Sequence, residues 1–244
     1  MKTTKMFIKL SQVALMMMFA TMSFGCWNMP PDGKSNPNNV KEDRAVSNFS
    51  ALDVGGAFKI YLTQGNEEKL TVEADADDMA DIITEVVGSK LKIYTRSGWH
   101  GNFHGMIIYL TFKQLDDIGF SGAVEVESQM PLSFEDLRMD ISGAAEIKMD
   151  FTASKYDAEF SGASEVEFTG KCQKGYIELS GASEFDAENL EFTDLVIELS
   201  GASDTRVNAT GELNIDASGA SSVRYKGGAK VTVNSSGASS VKEM

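Results

Sequence analysis

The sequence predicts an all-β chain: a parallel β-helix in which each repeat is one coil, preceded by a strand-rich capping segment. Three observations carry that prediction. The triplet Ser-Gly-Ala begins at Ser121, Ser142, Ser161, Ser180, Ser200, Ser218 and Ser236, at spacings of 21, 19, 19, 20, 18 and 18 residues. Either side of it, apolar and polar residues alternate, as in "AEFSGASEVEF" and "IELSGASEFDA", which is the period of a strand. A glycine always holds the centre of the triplet, where a bend with positive φ tolerates no Cβ. Coils of this kind stack about 4.8 Å apart, so equivalent residues form ladders. Ile141, Phe160, Leu179 and Leu199 are expected inside, the glycines at the bend, and the alanines that follow them packed within the corner.

The chain before the repeat divides into three parts. Lys2, Lys5 and Lys9 precede an apolar run from Val13 to Phe19, the pattern of a secretory signal over residues 1–25. Its end, "MSFGC", is similar to a bacterial lipobox, which makes Cys26 the lipid-bearing residue; an ordinary signal cleaved nearby is the alternative. Residues 26–47, with "WNMPPDGKSNPNN", read as the anchor site and a flexible tether. Residues 48–118 read as an N-terminal β-rich segment continuous with the repeat at 119–244. Within it, "AFKIYLTQG" and "KLTVEAD" are expected to pair as a hairpin about "QGNEE", and Met79, Ile82, Ile83 and Val86 have the spacing of one short helix.

Charge and residue types narrow the function. The chain carries 22 basic and 36 acidic residues, a formal −14, and loss of residues 1–25 makes it more acidic still. That argues against nucleic acid and anionic lipid surfaces as partners, leaving the N-terminal lipid as the contact with a membrane. If Cys26 is acylated, Cys172 has no disulfide partner and is expected as a buried, inert thiol. The repeated serines lack a base: His100 and His104 share one loop outside the repeat, and there is no Gly-x-Ser-x-Gly elbow. Their hydroxyls are expected to bond the backbone at the bend, and no catalytic residue is assigned.

Candidate binding residues are of two kinds. Glu125, Glu146, Glu165, Glu184 and Asp204 recur four residues after the serine, and Asp140, Glu159, Glu178, Glu198 and Asp216 two before it. Stacked carboxylates repel, so such a column raises its own pKa values or attracts cations, a Ca²⁺ ion or a cationic partner surface; the alternative is a solvated outer face. The calcium repeat Gly-Gly-x-Gly-x-Asp is absent, and no metal or other cofactor is assigned. Trp99, His100 and Phe103, in "SGWHGNFHG", make an aromatic, glycine-rich loop of the sort that contacts carbohydrate or protein.

The order "FSALDVGGAFKIYLTQG", "KLTVEAD", "KLKIYT" and then the repeated triplet resembles the head GIN domain family of auto-transporter adhesin-like proteins, over about residues 48–242. The resemblance implies a right-handed, single-stranded β-helix of pectin-lyase-like shape and a role in adhesion, with an unidentified glycan or protein as partner. Enzymes on similar scaffolds cleave acidic polysaccharides with acids plus Arg or Lys. Here Arg206 and Arg224 share one offset from the triplet, Arg138 and Lys148 read as standing outside the repeat, and a polyuronate would meet a surface of its own sign. A non-catalytic binding protein of the cell envelope, outer-membrane anchored, is therefore expected, with a polysaccharide-active enzyme and a periplasmic scaffold as alternatives. The last coil is expected to leave an edge open to weak self-association.

Overall fold

The structure is a computed structural model that describes residues 38–98 and 105–244. Its strands form one mixed sheet of 13 strands. In chain order they are β1 (Asn39–Arg44), β2 (Ala51–Gln64), β3 (Lys69–Asp75), β4 (Ile82–Val87), β5 (Lys90–Thr95), β6 (Ile107–Phe112), β7 (Asp117–Ser128), β8 (Leu132–Gly181), β9 (Glu184–Gly201), β10 (Asp204–Ala217), β11 (Ser222–Lys226), β12 (Lys230–Ser235) and β13 (Ser240–Glu243).

β2 pairs in parallel with β7, and from β7 to β13 every pairing is parallel and follows the repeat. Ser121, Gly122 and Ala123 lie opposite Ser142, Gly143 and Ala144, and Ser180 and Gly181 opposite Ser200 and Gly201. The inward column of alternate residues is apolar: Val54 faces Phe120, Phe120 faces Ile141, and Leu179 faces Leu199. Ile141, Phe160, Leu179 and Leu199 are all at most 2% exposed, as their alternation required. Beside them runs a file of rings, Phe134, Phe151, Phe168 and Phe185, each meeting the next edge-on at 5.3–6.1 Å between centroids.

The glycines have two reasons to be glycine. Gly143, Gly162, Gly181 and Gly201 all have φ between 121° and 127°, which side chains with a Cβ rarely adopt. Each is also nested on its predecessor: a Cβ on Gly162 would lie 2.2 Å from the Gly143 carbonyl oxygen, and one on Gly181 2.3 Å from that of Gly162. The column starts one unit before the first Ser-Gly-Ala. Gly55, Gly56 and Ala57 lie opposite Ser121, Gly122 and Ala123, and Gly56 has φ 133°. The sequence hides this unit because Gly55 replaces the serine and 66 residues separate Gly56 from Gly122, against 18–21 elsewhere.

Four expectations need correction. β2 and β3 do not pair as a hairpin: β6 lies between them, parallel to β2 and antiparallel to β3. Met79–Asp81 is a single 3₁₀ turn, and the run that follows is β4, antiparallel to β5. Ile82, Ile83, Thr84, Val86 and Val87 are β-branched, and a strand suits them better than a helix. The end of the stretch read as tether is already strand, with β1 antiparallel to β3 from Asn39–Asp75 to Arg44–Leu70. The alanines of the triplet are not tucked inside the corner either. Ala144, Ala182, Ala202 and Ala220 are exposed, and the residue after each is buried: Ala145, Ser183, Ser203 and Ser221.

Candidate binding surface

The strand register assembles the acidic column as residue spacing required. Lys59 lies opposite Glu125, Glu125 opposite Glu146, Glu165 opposite Glu184, and Glu184 opposite Asp204; Ser222 and Ser240 continue the line. The column is less acidic than its letters imply. Lys59 Nζ lies 2.5 Å from Glu125, Lys148 Nζ 2.7 Å from Glu146, and Arg224 Nη2 2.7 Å from Asp204. Arg206 Nη1 bridges Glu184 at 3.2 Å and Asp186 at 3.1 Å. Glu165 has no ion pair among the described residues.

Lys148, Arg206 and Arg224 belong to a second column that sequence reasoning missed in part. Glu127 faces Lys148, Glu167 faces Asp186, Asp186 faces Arg206, and Arg224 lies between Arg206 and Lys242. Lys148 therefore stands inside the repeat, at the same place as Arg206 and Arg224, six residues after its serine. The signal was available as that constant offset, masked by alternation of sign. Bonding to Glu146 raises the Lys148 pKa against a smaller opposing effect of burial, with Glu165 and Glu167 adding to the rise. Burial pulls Arg206 down, but Asp186 and Glu184 more than restore it and hold the guanidinium charged.

Three of the seven repeated serines bond the backbone through their hydroxyls. Ser161 Oγ donates to the Ile141 carbonyl at 3.4 Å, Ser180 Oγ to that of Phe160 at 3.5 Å, and Ser218 Oγ to that of Leu199 at 3.1 Å. The second serine of "SGAS" divides. Ser164, Ser183 and Ser203 are 3–5% exposed and their hydroxyls have no hydrogen-bond partner among the described residues, whereas Ser221 and Ser239 donate to the Ser218 and Ser236 carbonyls at 3.0 and 2.9 Å. Cys172 is a buried free thiol, pushed up to about 11 by burial, with its Sγ 3.2 Å from the Lys174 carbonyl.

At the N-terminal end, the outer faces of β3 and β6 carry one buried carboxylate. Glu73 is 4% exposed; Tyr109 Oη donates to it at 2.9 Å and Lys41 Nζ lies 3.2 Å away. Burial pushes the Glu73 carboxyl up, but the Tyr109 and Lys41 bonds outweigh it and the net pKa is lowered. Tyr61 stacks on Tyr109 at 5.3 Å, with Lys59 over the one ring and Lys41 over the other. Trp99, His100 and Phe103 fall outside the described residues, as does Cys26. Among the described residues, no three His, Cys, Asp or Glu groups are placed to hold a metal ion, and no helix is long and apolar enough to cross a membrane.

About half a unit from the glycines, the same stacking cuts an open furrow. One cleft of about 700 Å³ is lined by Ser50, Gln64, residues 113–116, 133–136 and Ser154. A second, of about 370 Å³, shares Ser133, Phe134 and Ser154 with it and continues to Lys171, Gln173, Glu191 and Thr193. Its floor is the edge of the core, since Phe134 is 7% exposed and stacks on Phe112 at 6.3 Å. Gln64 fastens that floor: its Nε2 donates to the Lys113 and Ser133 carbonyls at 3.2 and 2.9 Å, and its Oε1 accepts from the Ser133 amide at 2.8 Å.

Comparison with known proteins places these features. A crystal structure described as a putative adhesin from Bacteroides fragilis is 23% identical, with a TM-score of 0.80 over 86% of this chain and 98% of that one. A putative adhesin from Parabacteroides distasonis is 18% identical, with a TM-score of 0.68 over 87% and 98%. A protein from the same species described as a putative lipid binding protein is 19% identical, with a TM-score of 0.62 over 86% and 98%. These likenesses establish a shared fold. No curated protein matches the chain. The profile of one family, described as putative auto-transporter adhesin, head GIN domain, matches residues 48–229, and the chain belongs to that family.

Proposed function

We propose that the chain is a non-catalytic binding domain of the cell envelope, built as a right-handed, single-stranded β-helix and held at the outer membrane by lipid on Cys26. The observation that carries this reading is the parallel register of the repeat. Register turns each outward position into a row of side chains at about 4.8 Å intervals. Such a surface suits an extended partner met at many points, whereas a catalytic site needs a few unlike groups converging on one. Family membership supports adhesion as the role of that surface.

The edge of the last strands belongs to the same proposal: Val233 is 41% exposed and Val231 and Val241 are half-buried, which favours weak pairing of one copy with another. Light scattering over a concentration series should show growth in mean mass. A strict monomer throughout would remove this part.

Adding the soluble protein should block attachment of cells that display it, with no release of reducing or unsaturated sugar ends from polysaccharide. Cys26→Ser should move the protein from the membrane fraction to the soluble one. Product formation on any polysaccharide would replace the binding reading with the enzymatic one.

A further inference from the structure

The furrow is built by segments that return at the same interval as the glycines. Lys113, Ser133, Thr152, Lys171 and Glu191 follow one another at 20, 19, 19 and 20 residues. Neighbouring segments are joined: the Thr152 hydroxyl donates to the Leu132 carbonyl at 3.5 Å, and Cys172 lies opposite Phe192 in paired strands. Five segments at about 4.8 Å apiece make a trough roughly 20 Å long that runs along the stacking direction.

The lining is short, polar and largely uncommitted. Gln114, Ser154 and Gln173 point no hydrogen bond at the protein among the described residues, so amide and hydroxyl donors and acceptors remain for a ligand. Gln64, by contrast, is used up in holding the floor. The charges on the lining are two lysines against four carboxylates, and Lys171 is already paired with Glu191 at 3.6 Å. A polyanion gains nothing from that balance.

The geometry points to this furrow as a site for a neutral, extended polysaccharide laid parallel to the stacking axis. The inference rests on the binding reading above and names the ligand class for it. Each row offers at least one amide or hydroxyl (Gln114, Ser133, Ser154, Gln173 and Thr193) at a repeat of about 4.8 Å, close to the advance of an extended β-linked pyranose chain per sugar. An extended polypeptide advances by only about 3.3 Å per residue and drifts out of step with the rows. Hydroxyls on every sugar match amide and hydroxyl side chains on every row, and the partly apolar floor at Phe134 accepts a sugar's C–H face.

The test uses the full chain with neutral oligosaccharides of increasing length from β-1,4-glucan, xylan and mannan, and polygalacturonate as the charged comparison. Titration calorimetry should show affinity for one neutral series that rises with length until the chain spans the furrow, little changed by added salt. Ser154→Trp, at a residue common to both clefts, should weaken it by about tenfold or more, and Gln173→Ala by less. Thermal unfolding should be unchanged in both, since both side chains are exposed.

Glycan binding that both variants retain in full overturns the furrow as the site and leaves the binding reading intact. Absence of binding to all three neutral series, with cell attachment still blocked by the protein, overturns the ligand class and again spares that reading. Salt-sensitive binding of polygalacturonate alone, or capture of an extended peptide that Ser154→Trp abolishes, also overturns it. Loss of both glycan binding and blocking of attachment sinks the inference together with the reading beneath it.

Discussion

The Ser-Gly-Ala corner and the furrow lie about half a unit apart on the same stack, and they are opposites in composition. At the corner one glycine returns in every unit, seated on the carbonyl of the glycine before it. In the furrow the residues change from row to row, from Lys113 to Ser133 to Thr152, although the backbone spacing is the same. The difference teaches that repetition here records a steric demand, and that freedom from it is where a ligand can be addressed. A residue repeated because nothing else fits is a poor place to look for specificity.

The largest expected effect attacks the corner itself. Gly162→Val combines φ of 127° with a Cβ 2.2 Å from a backbone oxygen, and should cost more than about 3 kcal/mol or yield no folded protein. Gly88→Val is the control without the contact: φ is 66°, nothing lies within 4 Å of the added Cβ, and the cost should be about 1–2 kcal/mol. Equal losses by chemical denaturation would show that φ alone matters and that the nesting does not.

Next comes Glu73, a buried carboxylate outside both regions. Its pKa is lowered on folding, so its contribution is fully present above the ordinary glutamate range and is lost as pH falls through the lowered value. Tyr109→Phe should therefore cost about 1–2 kcal/mol at neutral pH and flatten the acid limb of the stability curve. An unaltered pH profile would count against a charged Glu73.

A smaller effect tests whether every repeated letter is a steric demand. Ser183 is buried with an unpaired hydroxyl, so Ser183→Ala should be neutral or stabilising by up to about 1 kcal/mol. A loss beyond that would mean its hydroxyl has a partner. Smallest is Arg206→Ala on the partly exposed charge columns, about 0.5–1 kcal/mol at low salt and less at high salt. A salt-independent loss would assign Arg206 to packing instead.

The parts of the fold legible in the sequence were those carried by local alternation plus repetition. The inward ladder of Ile141, Phe160, Leu179 and Leu199, the glycine bends and the acidic column all needed only residue spacing. What failed depended on choices between distant partners. β2 and β3 alternate as a hairpin should, but the edge of β2 is taken by β6, which arrives some 45 residues later. Met79, Ile82, Ile83 and Val86 fit a helical spacing by coincidence, and pairing with β5 decided for strand. The corner alanines were assigned inward because they are small, yet the bend at each glycine turns them out and the next residue in. The furrow had no common letter to reveal it, since its segments share only their interval.

The 66-residue detour between Gly56 and Gly122 carries a lesson about growth. Four strands are accommodated there, and the chain still returns with Gly122 opposite Gly56. Each glycine answers only to the one before it, so the stack behaves like a string of beads whose thread can wander between beads without disturbing their order. Whole units can be duplicated or dropped, and long passengers carried at an interruption, with the seam closing each time by the same contact. Such a molecule changes its reach in fixed increments and its cargo almost without limit.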